Sequence, residues 1–160
     1  MTYLKFTVGI FIVLAASRLI PHPPNFTSLL ALSFYIPAIF GRKFIPSILI
    51  SFFITDLIIG FHNLTLFTWG SVLIIGLISK FFAFRTVYRI LGAISSAIIF
   101  YMITNFGVWI LGGYELNING LYTSYIMAIP FFTYSLISTI FYAFILEFFY
   151  IIYQRKFAIR

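Results

Sequence analysis

Arg18-Leu19-Ile20-Pro21-His22-Pro23-Pro24-Asn25-Phe26-Thr27 stands between two apolar runs, and its reading decides the fold. Three prolines in four residues remove backbone donors and push the residue before each out of helical geometry. A helix rising from the amino terminus must therefore stop here. Upstream, residues 3–20 carry no charge except Lys5 and Arg18, a length suited to one membrane crossing. A signal peptide would show a small-residue cleavage site where Arg18 and the prolines stand, so this run reads as a retained first helix.

Working outward, the same punctuation recurs. The second helix is expected over residues 26–40, closed by the basic turn Gly41-Arg42-Lys43. A third, with Pro46 suited to its first turn, covers 44–60. The polar loop at His62, Asn63 and Thr65 leads into a fourth over 66–79. Lys80, Arg85 and Arg89, spaced by aromatics, read as an interfacial loop, and a fifth helix follows over 90–111. The run 121–153 is too long for one crossing; Pro130 divides it into a surface or re-entrant piece and a sixth spanning helix over 130–153. The chain thus reads as an all-α membrane protein, residues 1–160 forming a single domain of six transmembrane helices.

Composition agrees, since 62% of residues are hydrophobic and 8% charged, where a soluble domain carries about a quarter charged. Charge placement gives the orientation. Lys5, Arg42, Lys43, Lys80, Arg85, Arg89, Arg155, Lys156 and Arg160 fall at one set of helix ends and Arg18 alone at the other. Basic residues mark the cytoplasmic side, so both termini are expected inside. The net charge of +7 is spread in small groups beside apolar runs, which suits the headgroups of a lipid bilayer and not nucleic acid. With no cysteine, thiolate metal sites and thiol nucleophiles are excluded.

Candidate binding residues gather at the outer ends. Arg18, His22 and Asn25 lie on the rigid proline segment. Asp56, on the outer half of the third helix, costs roughly 2.5–3.5 kcal/mol in hydrocarbon unless it faces a partner or water, and Arg18 is the matching cation. On the fifth helix, Asn105 needs hydrogen-bond partners and offers both donors and an acceptor, while Trp109 supplies a stacking face or a membrane-interface anchor. His62 joins them from the outer loop. His22, His62 and Asp56 match no compact ligand spacing, so neither a metal nor a cofactor is expected. Glu147 reads as the partner of a nearby basic residue at the inner end. Gly92 with Ser96, and Ala93 with Ala97, permit close helix contact within the chain or with another subunit. No nucleotide-cradling Gly-x-x-x-x-Gly-Lys, nucleophile elbow or His-Glu-x-x-His occurs, and the chain is not expected to be an enzyme.

The segment Arg18 to Thr27, with Thr55-Asp56-Leu57 and Thr104 to Trp109, resembles an uncharacterised family of small bacterial membrane proteins bearing an Arg-Leu-x-Pro-His-Pro-Pro-Asn-Phe-Thr signature. That family is similar in size, helix number and outward polar cluster to the substrate-binding S components of energy-coupling factor (ECF) transporters. The resemblance implies a bacterial cytoplasmic (inner) membrane protein that captures a vitamin-sized solute from outside, in a site lined by Arg18, His22, Asn25, Asp56, His62, Asn105 and Trp109. It also implies a transmembrane T component and cytoplasmic ATPases as partners. S components commonly carry an Ala-x-x-x-Ala docking surface on helix one, whereas this helix offers Gly9, Ala15 and Ala16. The competing expectation is a structural accessory subunit of a larger membrane complex, with no ligand of its own.

Overall fold

The proline segment ends the first helix, α1 (Tyr3–Leu19), at the expected place in the computed structural model, which describes residues 3–158 and side chains as far as Arg155. Arg160 and the side chain of Lys156, both counted above as inner charges, lie outside what is described. Beyond α1 the chain turns through Asn25, whose φ of 61° is left-handed, a conformation asparagine tolerates better than most residues. Ser17 of α1 accepts the Ser28 N–H at 3.1 Å and bonds the Ser28 hydroxyl at 2.7 Å. These bonds stitch the loop to the helix it leaves and delay α2 (Leu29–Phe40) to three residues past the expected start.

Gly41, at φ 94°, ends α2, and a 3-10 turn over Arg42–Phe44 leads into α3 (Ile45–Ile59), with Pro46 in its first turn. Gly60, at φ 109°, stops α3 in turn. The fourth helix, α4 (Thr65–Ile78), continues as a 3-10 turn over Ser79–Phe82. Then α5 (Thr86–Val108) begins four residues earlier than expected, so Arg89 belongs to a helix and not to an interfacial loop. It widens into a π-type turn over Trp109–Gly113. A short α6 (Ile118–Met127) follows, capped by Asn117 Oδ1 accepting from the Gly120 N–H at 2.8 Å, and α7 (Ile129–Ala158) completes the chain, with Pro130 in its first turn. Helix makes up 85% of the structure and no strand occurs among the described residues, so the class is all-α.

The short α2 occupies the centre. Each residue from Leu29 to Pro37 is buried, and the helix touches α1, α3, α4, α5 and α7. A helix apolar on all sides is a core element. One face joins Ile10 and Leu14 of α1 to Ile48 and Phe52 of α3 and Val72 of α4; the other joins Ile75 of α4 to Ala93 and Ala97 of α5 and Ala143 of α7. Gly92 brings α5 close, since a Cβ there would stand 2.2 Å from Cζ of Phe34. The small-residue face of α5 is therefore used inside this chain.

Large apolar side chains such as Leu4, Ile12, Leu57, Ile74, Ile98, Phe144 and Phe148 are exposed on the outside of the bundle. A soluble monomer rarely exposes so much contiguous apolar surface. Among the described residues, three helices are long and apolar enough to cross a membrane: Thr65–Phe82, Thr86–Gly113 and Ile129–Arg155. At 12 residues, α2 is about 18 Å long, short of the ~30 Å hydrocarbon core.

Candidate functional site

A strand of chain that ends one helix and starts the next sets the level of the site. Because the helices alternate in direction, the end of α1, the start of α2, the end of α3, the start of α4, the end of α5 and the start of α7 meet at one end of the bundle. The structure holds a cavity there in two joined lobes. One, of about 270 Å³, is lined by Arg18, His22, Asn25, Thr27, Phe52, Ile59 and neighbours. The other, of about 230 Å³, is lined by Asn105, Tyr101, Thr104, Leu64, Phe131 and Phe132 among others. Asn25, His62, Thr68, Phe100 and Ser135 border both lobes and form the waist between them.

Behind the Arg18 lobe lies a buried charge cluster. Arg18 Nη1 stands 2.7 Å from Oδ1 of Asp56, and their side chains are 14% and 1% exposed. The same nitrogen donates to the Thr55 hydroxyl, and because Asp56 Oδ1 accepts no aligned hydrogen bond among the described residues, its contact with Arg18 is a close ion pair. Thr55 in turn donates to the Phe52 carbonyl at 2.8 Å, which leaves its oxygen lone pairs for Arg18. Trp69 Nε1 on α4 donates to Asp56 Oδ2 at 2.7 Å, and the guanidinium lies over the Phe52 ring at 4.6 Å. One carboxylate thus ties α1, α3 and α4 together.

His22 folds back on its own loop, Nδ1 lying 2.7 Å from the Pro23 carbonyl and Nε2 3.3 Å from that of Arg18. Asn25 is fixed through its carbonyl, which accepts from Ser138 Oγ of α7 at 3.4 Å. His62 Nδ1 accepts the Leu64 N–H at 3.2 Å, so the neutral ring carries its proton on Nε2. Asn105 Nδ2 donates to the Tyr101 carbonyl at 2.8 Å and leaves its amide oxygen without a partner among the described residues.

Of the seven residues singled out from the sequence, Arg18, His22, Asn25, His62 and Asn105 line the cavity. Asp56 does not; it is sealed behind Arg18. Trp109 borders neither lobe. Its indole donates to the Glu115 carbonyl at 3.1 Å and packs on Phe106 with ring centroids 5.6 Å apart. Sequence reasoning missed Trp69 and Ser135. Trp69 was signalled by an indole N–H inside an apolar helix, which needs an acceptor, with Asp56 the one carboxylate in the outer half of the expected helices. Ser135 lay hidden among the many hydroxyls of α7.

No group of three His, Asp or Glu side chains among the described residues is arranged to hold a metal ion. The cavity offers directed donors and acceptors between aromatic walls. At the opposite end, Arg89 Nε and Nη2 clasp Glu147 at 2.9 and 2.5 Å. No curated protein and no solved structure matches the chain. The profile of a family of unknown function, DUF6580, matches residues 2–159, and the chain belongs to that family.

Proposed function

We propose that this protein is the solute-binding subunit of an ECF-type uptake transporter and captures a vitamin-sized molecule from the outer side of a bacterial cytoplasmic membrane. The observation that carries this reading is the convergence of polar side chains from the proline loop, α4, α5 and α7 on one two-lobed cavity. The lobes joined fall within the roughly 300–1,000 Å³ of small-molecule sites. Lys5, Arg42, Lys43, Lys80, Arg85 and Arg155 belong to the other end of the bundle, so the positive-inside rule turns the cavity outward. On this reading α1 to α5 and α7 are the six crossings, with both termini inside, and α6 rests at the outer surface. The bare apolar face of α1, including Leu4, Val8 and Ile12, gives a T component a surface to pack on. Cytoplasmic ATPases would then supply the energy for release that this chain has no motif to supply.

Native mass spectrometry of the detergent-purified protein tests the reading. A small molecule is expected to remain bound, and Asn105→Ala is expected to weaken its retention about tenfold, or ~1.4 kcal/mol, while the protein stays folded. Unchanged retention would remove Asn105 from the site. The ion pair of Arg18 with the buried Asp56, held from behind by Trp69, favours a second reading, a structural accessory subunit of a larger complex. That reading expects stoichiometric copurification with partner chains and an empty cavity. A reporter fused after Arg160 checks the orientation: it is expected to stay in the cytoplasm, and export would invert the site.

A further inference from the structure

The chain has only three acidic side chains, and none offers a free carboxylate to the cavity. Asp56 has both oxygens engaged by Arg18 and Trp69. Glu147 is paired with Arg89 at the far end, and Glu115 sits in the outer loop, accepting from Asn117 Nδ2 at 2.8 Å. A cationic ligand would find no counter-charge. Arg18, by contrast, borders the cavity with only Nη1 bonded among the described residues, so the N–H groups of Nε and Nη2 remain available. The ion pair is neutral as a whole yet polarised, carboxylate behind and guanidinium in front. An oxygen acceptor placed there gains a charge-assisted hydrogen bond. A phosphate ester would call for a second cation, and Arg18 is the only lysine or arginine among the lining residues.

The other lobe has a different character. Phe100, Phe131 and Phe132 form its flat apolar walls. Its polar groups are uncharged: the free oxygen of Asn105, and the hydroxyl of Ser135, a residue 5% exposed whose side chain has no hydrogen-bond partner among the described residues. Such walls with a polar edge suit a planar ring. Each lobe, at about 230 and 270 Å³, lies just under the roughly 300 Å³ of an ordinary ligand site, and the shared waist lets one occupant extend into both.

We infer that the cavity, read as a solute-binding site, takes a small monoanion: an uncharged planar ring whose polar edge meets Asn105 and Ser135, carrying on a short arm a carboxylate that meets Arg18. The inference rests on the solute-binding reading and narrows it to a ligand class.

The test uses the full chain in detergent with three probes that share one ring and differ in the arm: indole-3-propionate, indole-3-propionamide and tryptamine. Calorimetry is expected to show the carboxylate binding at least about tenfold tighter than the amide, and the amine not binding. Equal or tighter binding by the amide or amine overturns the ligand class and leaves solute capture standing. So does a molecule retained through purification whose accurate mass and fragmentation show no carboxylate, whereas a retained ring carboxylate supports the class. If no probe binds and nothing is retained, both readings fall. Because Arg18→Gln alone strands a buried Asp56, the informative variant is R18Q/D56N, which removes both charges and keeps hydrogen-bonding groups in place. It is expected to bind the carboxylate no better than the amide; a preserved preference for the carboxylate overturns the role of Arg18.

Discussion

Asp56→Ala is expected to destabilise the fold by about 3–5 kcal/mol, the range for breaking a buried charge pair by deleting one member. Three losses coincide at this position. Arg18 loses the counter-charge 2.7 Å away, Trp69 loses the acceptor of its indole N–H, and a cavity opens where α1, α3 and α4 meet. The size of the effect comes mainly from what is left behind, a guanidinium only 14% exposed with just the Thr55 hydroxyl and the Phe52 ring for company. Asp56→Asn is expected to cost less, because an amide oxygen still accepts from Trp69. An Arg18→Met, Asp56→Leu double replacement is expected to cost less than Asp56→Ala alone, since removing both members leaves no stranded charge. Thermal unfolding in detergent across the set, with Arg18→Met and Asp56→Leu also made singly to close the cycle, gives the coupling energy. A value near zero would mean that the cluster does not hold the three helices together, and that Asp56 is kept at this depth for another reason.

Most of the helix plan was legible because proline and glycine act through the backbone, whatever surrounds them. Pro21 to Pro24, Gly41, Gly60 and Pro130 each mark a boundary that the structure keeps within a residue or two. The misplaced starts have side-chain causes that local reading does not see: Ser17 reaching to Ser28 delays α2, and Arg89 reaching to Glu147 draws its own residue into α5. The sequence also gave no sign that α2 is the central helix, because nearly every run in so apolar a chain looks the same from outside. The pairing of Arg18 with Asp56 was legible, since the outer half has one cation and one intramembrane acid to match. Which of the two faces the cavity was not. That depends on Trp69, which approaches from α4 and takes the rear oxygen, leaving the guanidinium in front. Trp109 stands one turn beyond Asn105 in the sequence, but spacing along the helix does not show that its indole is taken up by the Glu115 carbonyl and its ring by Phe106.

The second large effect is expected at the opposite end, and it separates stability from binding. Arg89 bonds Glu147 through two nitrogens, donates to the Ala83 carbonyl at 2.9 Å and the Thr86 hydroxyl at 3.2 Å, and lies over the Tyr150 ring at 4.8 Å. It therefore joins the turn after α4, the first turn of α5 and the inner half of α7, whereas Glu147, besides Arg89, has only the Thr86 and Tyr35 hydroxyls near its carboxylate among the described residues. Both single deletions leave a buried charge and are expected to cost about 3–5 kcal/mol. Arg89→Ala is expected to be the worse, because it also strands the Ala83 carbonyl and removes packing against Tyr150. Neither residue borders the cavity, so at temperatures where the variants remain folded their affinity for a bound solute should match the parent's. Asp56→Ala should instead lose affinity as well as stability, since it releases the arginine that fronts the site. Paired melting and binding measurements on Arg89→Ala, Glu147→Ala and Asp56→Ala distinguish the cases. If Glu147→Ala weakened solute binding as strongly as Asp56→Ala, the two ends of the bundle would be coupled, and α7, which carries both Ser135 and Glu147, would be the element that links them.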